Sequence, residues 1–117
     1  MAARIIDGNE IAHKVRAEWR AKVDALRSRG VEPGLAVVIV GDNPASRVYV
    51  RHKTKACAET GIHSEVHEFP ASATEAAVLE RIARLNADQK VHGILVQLPL
   101  PPHIDTRKLL EAIAVHK

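Results

Sequence analysis

Hydrophobic positions along the 117 residues change period several times, and the changes mark out elements. Ile11, Val15, Val23 and Leu26 recur at roughly helical spacing after Asp7, whose side chain can cap, and Gly30 and Pro33 stop the pattern. Leu35-Ala36-Val37-Val38-Ile39-Val40 is unbroken and largely β-branched, which predicts a strand covered on both faces. Asn43-Pro44 then opens a second helix, since Asn caps and Pro suits the first turn. That helix runs to about Thr60 and ends at Gly61, where a left-handed cap is easy. Ser64 to Phe69 is polar, a short strand near an edge. Ser72-Ala73-Thr74-Glu75 reads as a capping box ahead of a helix carrying Val78, Leu79, Ile82 and Leu85. Gly93 to Gln97 predicts a second fully buried strand. Asp105-Thr106 opens a last helix with Leu109, Leu110 and Ile113. The order α-β-α-β-α-β-α predicts an α/β fold, a three-layer open sheet of mainly parallel strands flanked by helices.

Composition narrows this picture. Hydrophobic residues make up 46% and charged residues 26%, ordinary for one globular domain. Trp, Tyr, Phe, Met and Cys occur once each, so the core is aliphatic. A single cysteine, Cys57, forms no internal disulfide and reads as a small buried apolar residue. The net charge of +3 is mildly basic. Arg16, Arg20, Lys22, Arg27 and Arg29 interleave with Glu18 and Asp24, which reads as a solvated helix face. With no aromatics alternating among them to stack bases, the expectation is no nucleic-acid partner. No run could span a membrane, and Ile5-Ile6 is followed at once by Asp7, unlike a signal peptide. The expected setting is the cytoplasm.

Candidate chemistry gathers at two strand ends, where open parallel sheets bind small ligands. Ser46, Tyr49 and Lys53 share one face of the second helix near its N-terminus. A ring beside an amine suits a flat conjugated ligand, the ring stacking and the amine moving a proton. A buried ring with a snorkelling lysine has the same spacing. Gln97 ends an apolar strand and enters Leu98-Pro99-Leu100-Pro101-Pro102, where its amide is poorly solvated and needs a partner, for which neighbouring loop backbone is the plain alternative to a functional role. Either Leu-Pro bond there can adopt the cis form. His63 and His67 lack a completing ligand set, so no metal is expected. Neither a P-loop nor a Gly-x-Gly-x-x-Gly motif occurs.

The run Val40-Gly41-Asp42-Asn43-Pro44-Ala45-Ser46, the pattern Tyr49-x-x-x-Lys53-x-Lys55, Glu59-Thr60-Gly61-Ile62 and Val91 through Pro101 are specific together. They resemble the bifunctional methylenetetrahydrofolate dehydrogenase/methenyltetrahydrofolate cyclohydrolases. Ile5-Ile6-Asp7-Gly8 and Leu109 to Ala114 fit the same family, so the likeness spans essentially the whole chain. The resemblance implies oxidation of 5,10-methylenetetrahydrofolate by NADP, then hydrolysis of the methenyl cation to 10-formyltetrahydrofolate. It implies Lys53 as the catalytic amine, Tyr49 against the folate rings, Gln97 tuning Lys53, Ser46 among the substrate contacts, and backbone around Val96 and Leu98 lining the pocket.

The resemblance also sets an expected limit. The family continues with an Asp-Val-Asp-Gly segment whose second aspartate binds the pterin end, a Rossmann-type domain that binds NADP, and a C-terminal return. Residues 1–117 therefore read as the N-terminal, folate-binding, catalytic-lysine domain, and Val115-His116-Lys117 as a cut. Expected of the piece alone are no dehydrogenase activity and at best weak cyclohydrolase activity; the intact enzyme is expected to be a homodimer. Two other readings stand beside this one: a non-catalytic folate-binding or interaction domain of the same fold, and a nucleic-acid-binding domain resting only on the basic charge.

Overall fold

The computed structural model describes residues 2–117. In chain order the elements are α1 (Gly8–Ser28), β1 (Gly34–Val40), α2 (Pro44–Thr60), β2 (His63–Phe69), α3 (Glu75–Ala87), β3 (Gly93–Val96) and α4 (Thr106–Ala112). Local chemistry accounts for their ends. Asp7 accepts from the amides of Asn9 and Glu10, Asn43 from that of Ser46, and Asp105 from that of Lys108. Each cap satisfies a helix-start N–H that has no partner within the helix. Gly61 ends α2 at φ +82°, a backbone that side-chain-bearing residues avoid.

The sheet has the order β2-β1-β3, and both pairings are parallel. Val38 at its centre stands opposite His67 on one side and Val96 on the other. Strand alternation sorts the two faces. Ala36, Val38 and Val40 join Ile94, Val96, Val78, Ile82, Leu85 and Leu109 in the larger core, under α3 and α4. Val37 and Ile39 meet Val50 of α2 on the opposite face. Helix α1 packs on α2. The three-layer α/β architecture is therefore present, built on aliphatic side chains: Ile82, Leu109, Val37, Val38 and Val78 are the largest that are fully buried.

Several sequence expectations need correction. The α1 stripe is mostly unburied: Val23 is covered, whereas Ile11 and Val15 remain nearly half exposed. The basic residues of α1 are not simply solvated. Arg16 reaches the Glu59 carboxylate, Arg20 the Glu59 carbonyl and Arg27 the Gly61 carbonyl, so they dock α1 on α2. Thr74, not Ser72, caps α3, accepting from the Ala77 amide. Glu75, freed from any capping box, instead accepts from the Asp105 amide and pairs with Lys108, clamping α3 to α4. Strand β3 is only alternately buried: Gly93 and Leu95 are half-covered, and Leu95 lies on the α2 side of the sheet. Leu110 is exposed, and Ile113 is the residue that ends α4.

One glycine is dictated by close approach. A Cβ on Gly34 would stand 2.2 Å from the Lys90 carbonyl oxygen. The same residue donates its amide to His92 Nδ1 and accepts from the His92 amide, drawing the chain ahead of β3 against β1.

Candidate functional site

Strand β1 delivers the chain through Gly41, at φ +91°, into the capped start of α2. Ser46, Tyr49 and Lys53 then follow at helical intervals on one flank. From the other side, β3 hands over to Gln97, whose amide donates to the Val38 carbonyl at 2.9 Å. That bond extends the ladder one residue beyond β3 and fixes where the Gln97 side chain starts.

The two elements meet through side chains. Lys53 Nζ donates to Gln97 Oε1 at 2.9 Å and lies 5.6 Å from the centroid of the Tyr49 ring. Gln97 Nε2 in turn donates to its neighbour's carbonyl, Leu98 O, at 3.2 Å. The loop-backbone partner open to Gln97 is thus realised at one end of the amide, and Lys53 takes the other. Tyr49 is 56% exposed, so its ring is a surface offered to solvent and not a core residue with a snorkelling neighbour.

The other expected site residues take different places. Ser46 is buried, and its hydroxyl donates to Leu98 O at 3.0 Å. The Val96 side chain points into the core beneath α3 and α4, so only its backbone can face the site. Leu98 is exposed, and its carbonyl accepts from two donors. That role belongs to backbone, so no residue identity signals it. The Leu98–Pro99 peptide is cis.

Chemically, this is an amine held by a neutral acceptor. Lysine's ammonium has three donor positions. Gln97 takes one without cancelling the charge, which leaves the others for a ligand lying on Tyr49. The arrangement can stack a flat ring and exchange a proton with an atom on it.

A sizeable groove lies elsewhere. A groove of about 900 Å³ runs along the other flank of α2, lined by Ile39, Arg47, Val50, Arg51, Val66 and Glu68 among others. Arg47 there pairs with Asp42 and with Glu68, and the two carboxylates hold its guanidinium above its ordinary pKa. The groove thus joins aliphatic walls to the Arg47–Asp42–Glu68 ion set, with Arg51 and Lys55 as further cations on its lining. Amine, amide and ring converge instead on the Lys53 flank. Cys57 is buried, and burial raises its thiol pKa, in keeping with a packing role. His67 is engaged by Glu65 at one ring nitrogen and by Arg81 at the other.

Comparison with known proteins gives one answer. The family model described as tetrahydrofolate dehydrogenase/cyclohydrolase, catalytic domain, matches residues 6–117. A bifunctional protein FolD from Nitrosospira multiformis is 60% identical over 117 residues, covering 100% of this chain and 41% of that protein. One from Moorella thermoacetica is 56% identical over 117 residues, covering 100% of this chain and 42% of its own. Among solved structures, the bifunctional FolD methylenetetrahydrofolate dehydrogenase/cyclohydrolase from Campylobacter jejuni superposes with a TM-score of 0.97 at 46% identity. It covers 99% of this chain, which spans 41% of that structure. The Trypanosoma brucei enzyme, described as complexed with NADP cofactor and inhibitor, gives 0.92 at 40% identity, over 98% of this chain and 40% of its own. The chain thus spans about two-fifths of the length of these relatives. With the family model covering all but the first five residues, the chain belongs to the tetrahydrofolate dehydrogenase/cyclohydrolase catalytic-domain family.

Proposed function

We propose that this chain is the folate-binding, proton-transferring domain of an enzyme of one-carbon metabolism. The whole enzyme oxidises 5,10-methylenetetrahydrofolate with NADP and hydrolyses the methenyl product to 10-formyltetrahydrofolate. The observation that carries the reading is the 2.9 Å bond from Lys53 to Gln97, set beside the exposed Tyr49 ring at the strand ends.

Hydrolysis asks for what this wall supplies. A water oxygen bonds to the amidinium-like carbon and loses a proton; a carbon–nitrogen bond then breaks as that nitrogen gains one. Lys53 is the group that moves these protons, Gln97 orients it, and Tyr49 stacks on the folate rings. Backbone at Val96 and Leu98 lines the site.

The residues present do not fit NADP. The turn ahead of α2 reads Gly41-Asp42-Asn43-Pro44 and has no glycine-rich loop whose amides could cradle a pyrophosphate. Hydride acceptance belongs to an NADP-binding domain outside residues 1–117, and no step through the cofactor is assigned to this chain. Among the described residues no helix is long and apolar enough to cross a membrane. The reading includes a cytoplasmic setting, a supply of one-carbon units to purine biosynthesis and a homodimeric whole enzyme.

The test is hydrolysis of 5,10-methenyltetrahydrofolate, followed by loss of its absorbance. Lys53→Met is expected to lower turnover by roughly 100-fold or more, the scale of general acid–base catalysis. Near-normal turnover in that variant discards the assignment. Folate binding without turnover in the unaltered whole enzyme would favour the non-catalytic reading.

A further inference from the structure

We infer that Ser46 is a positioning residue for the Lys53–Gln97 pair, acting through the Leu98 carbonyl and not by touching folate. The inference rests on the hydrolase reading above and assigns Ser46 a different part in it.

Burial is the first argument. Ser46 is 2% exposed, too covered to meet a ligand lying on Tyr49. Its polar atoms are also engaged: the amide donates to Asn43 Oδ1 at 3.2 Å and the hydroxyl to Leu98 O at 3.0 Å. The second argument is the orientation of an amide. Gln97 can be placed either way round, and only one way serves Lys53. With Nε2 toward Leu98 O, its Oε1 faces the ammonium. Reversed, N–H would oppose N–H at Lys53 and oxygen would oppose oxygen at Leu98, leaving each group without a partner. The Leu98 carbonyl therefore decides which end of Gln97 meets the lysine, and Ser46 fixes that carbonyl.

The third argument is reach. Ser46 and Leu98 are 52 positions apart and join α2, which carries Lys53, to the loop that carries Gln97. Among the described residues, the other side-chain bond between these elements is Lys53–Gln97 itself. A short buried hydroxyl holds a distance better than a long lysine. Small misplacements of a catalytic group cost up to about 100-fold in rate.

Two measurements test this, NMR on the 117-residue chain and hydrolysis kinetics on the whole enzyme. In amide-resolved NMR spectra, Ser46→Ala should collapse the shift separation of the two Gln97 Nε2 protons and speed their exchange, while backbone shifts in α3 and α4 stay in place. In hydrolysis kinetics, Ser46→Ala should lower kcat about 10-fold to 100-fold, shift its pH profile and leave KM within about twofold. In a Gln97→Ala background the same change should add almost nothing, because both act on one bond network. Unchanged Gln97 amide signals, or equal losses in both backgrounds, overturn the inference. Should Ser46→Ala not fold, Ser46→Cys, similar in size but a weak donor, is read by the same criteria. A wild-type whole enzyme without turnover, or an active Lys53→Met, refutes the hydrolase reading instead; the NMR outcome then decides the positioning alone.

Discussion

Gln97 Oε1 accepts from Lys53 Nζ at 2.9 Å, joining residues 44 positions apart across the gap between α2 and the end of β3. Because the acceptor is an uncharged amide, the bond aims the ammonium without neutralising it. Gln97→Leu keeps the bulk and removes the acceptor. It is expected to lower methenyltetrahydrofolate hydrolysis about 10-fold to 100-fold. Both partners are only half-buried, so urea unfolding should move by less than about 1 kcal/mol.

Gly34 faces the Lys90 carbonyl oxygen at a distance that admits no side chain, 2.2 Å from where a Cβ would lie. The obstacle is backbone, which cannot rotate aside as a side-chain tip would. Gly34→Ala should therefore destabilise the fold by about 1–3 kcal/mol, the usual cost of overpacking. Urea denaturation measures it, and a shift below about 0.5 kcal/mol would contradict the close approach.

Asn86 brackets the segment after α4. Its Nδ2 donates to the Ala112 carbonyl at 2.8 Å and its Oδ1 accepts from the Ala114 amide at 2.9 Å. Asn86→Ala should cost about 1–3 kcal/mol and speed hydrogen exchange at Ala114. Asn86→Asp keeps the acceptor for Ala114 and loses the donor to Ala112. It should preserve the Ala114 protection better than alanine does; equal exchange in both variants would contradict this geometry.

Glu75 carries a pH dependence. The Asp105 amide, then Lys108, hold its carboxyl below the ordinary value of 4.5. A carboxylate depressed on folding binds protons more readily when unfolded. Its contribution is therefore complete above about pH 4.5 and is lost as pH falls through the lower, folded value. Lys108, raised in turn by Glu75, contributes fully below its ordinary value and loses the contribution only in strong alkali. Glu75→Gln should flatten the acid side of a plot of melting temperature against pH. An unchanged acid slope in that variant would remove Glu75 from the acid response.

Much of the candidate site was legible because its signals are local. Tyr49 and Lys53 share a helix whose start is announced by Asn43-Pro44 and whose end is announced by Gly61. Spacing alone therefore put ring and amine side by side. Gln97 stood out as an amide at the end of an apolar strand. Ser46 was legible as a neighbour but not as a strut, because its partner is a backbone carbonyl 52 positions away. Val96 is expected to line the site through its backbone, and strand alternation turns its side chain into the core under α3 and α4.

The amino-acid sequence by itself determined the order of elements, the caps at Asp7, Asn43 and Asp105, and the aliphatic core. Capping, periodicity and turn chemistry act over a few residues, so they are written locally. Tertiary structure decided what depends on pairing distant segments. It set the strand order, turned the basic face of α1 onto α2, moved Glu75 from a cap to a clamp, and closed Lys53 onto Gln97. Those outcomes follow from which surfaces can be buried together, and no local spacing encodes that choice.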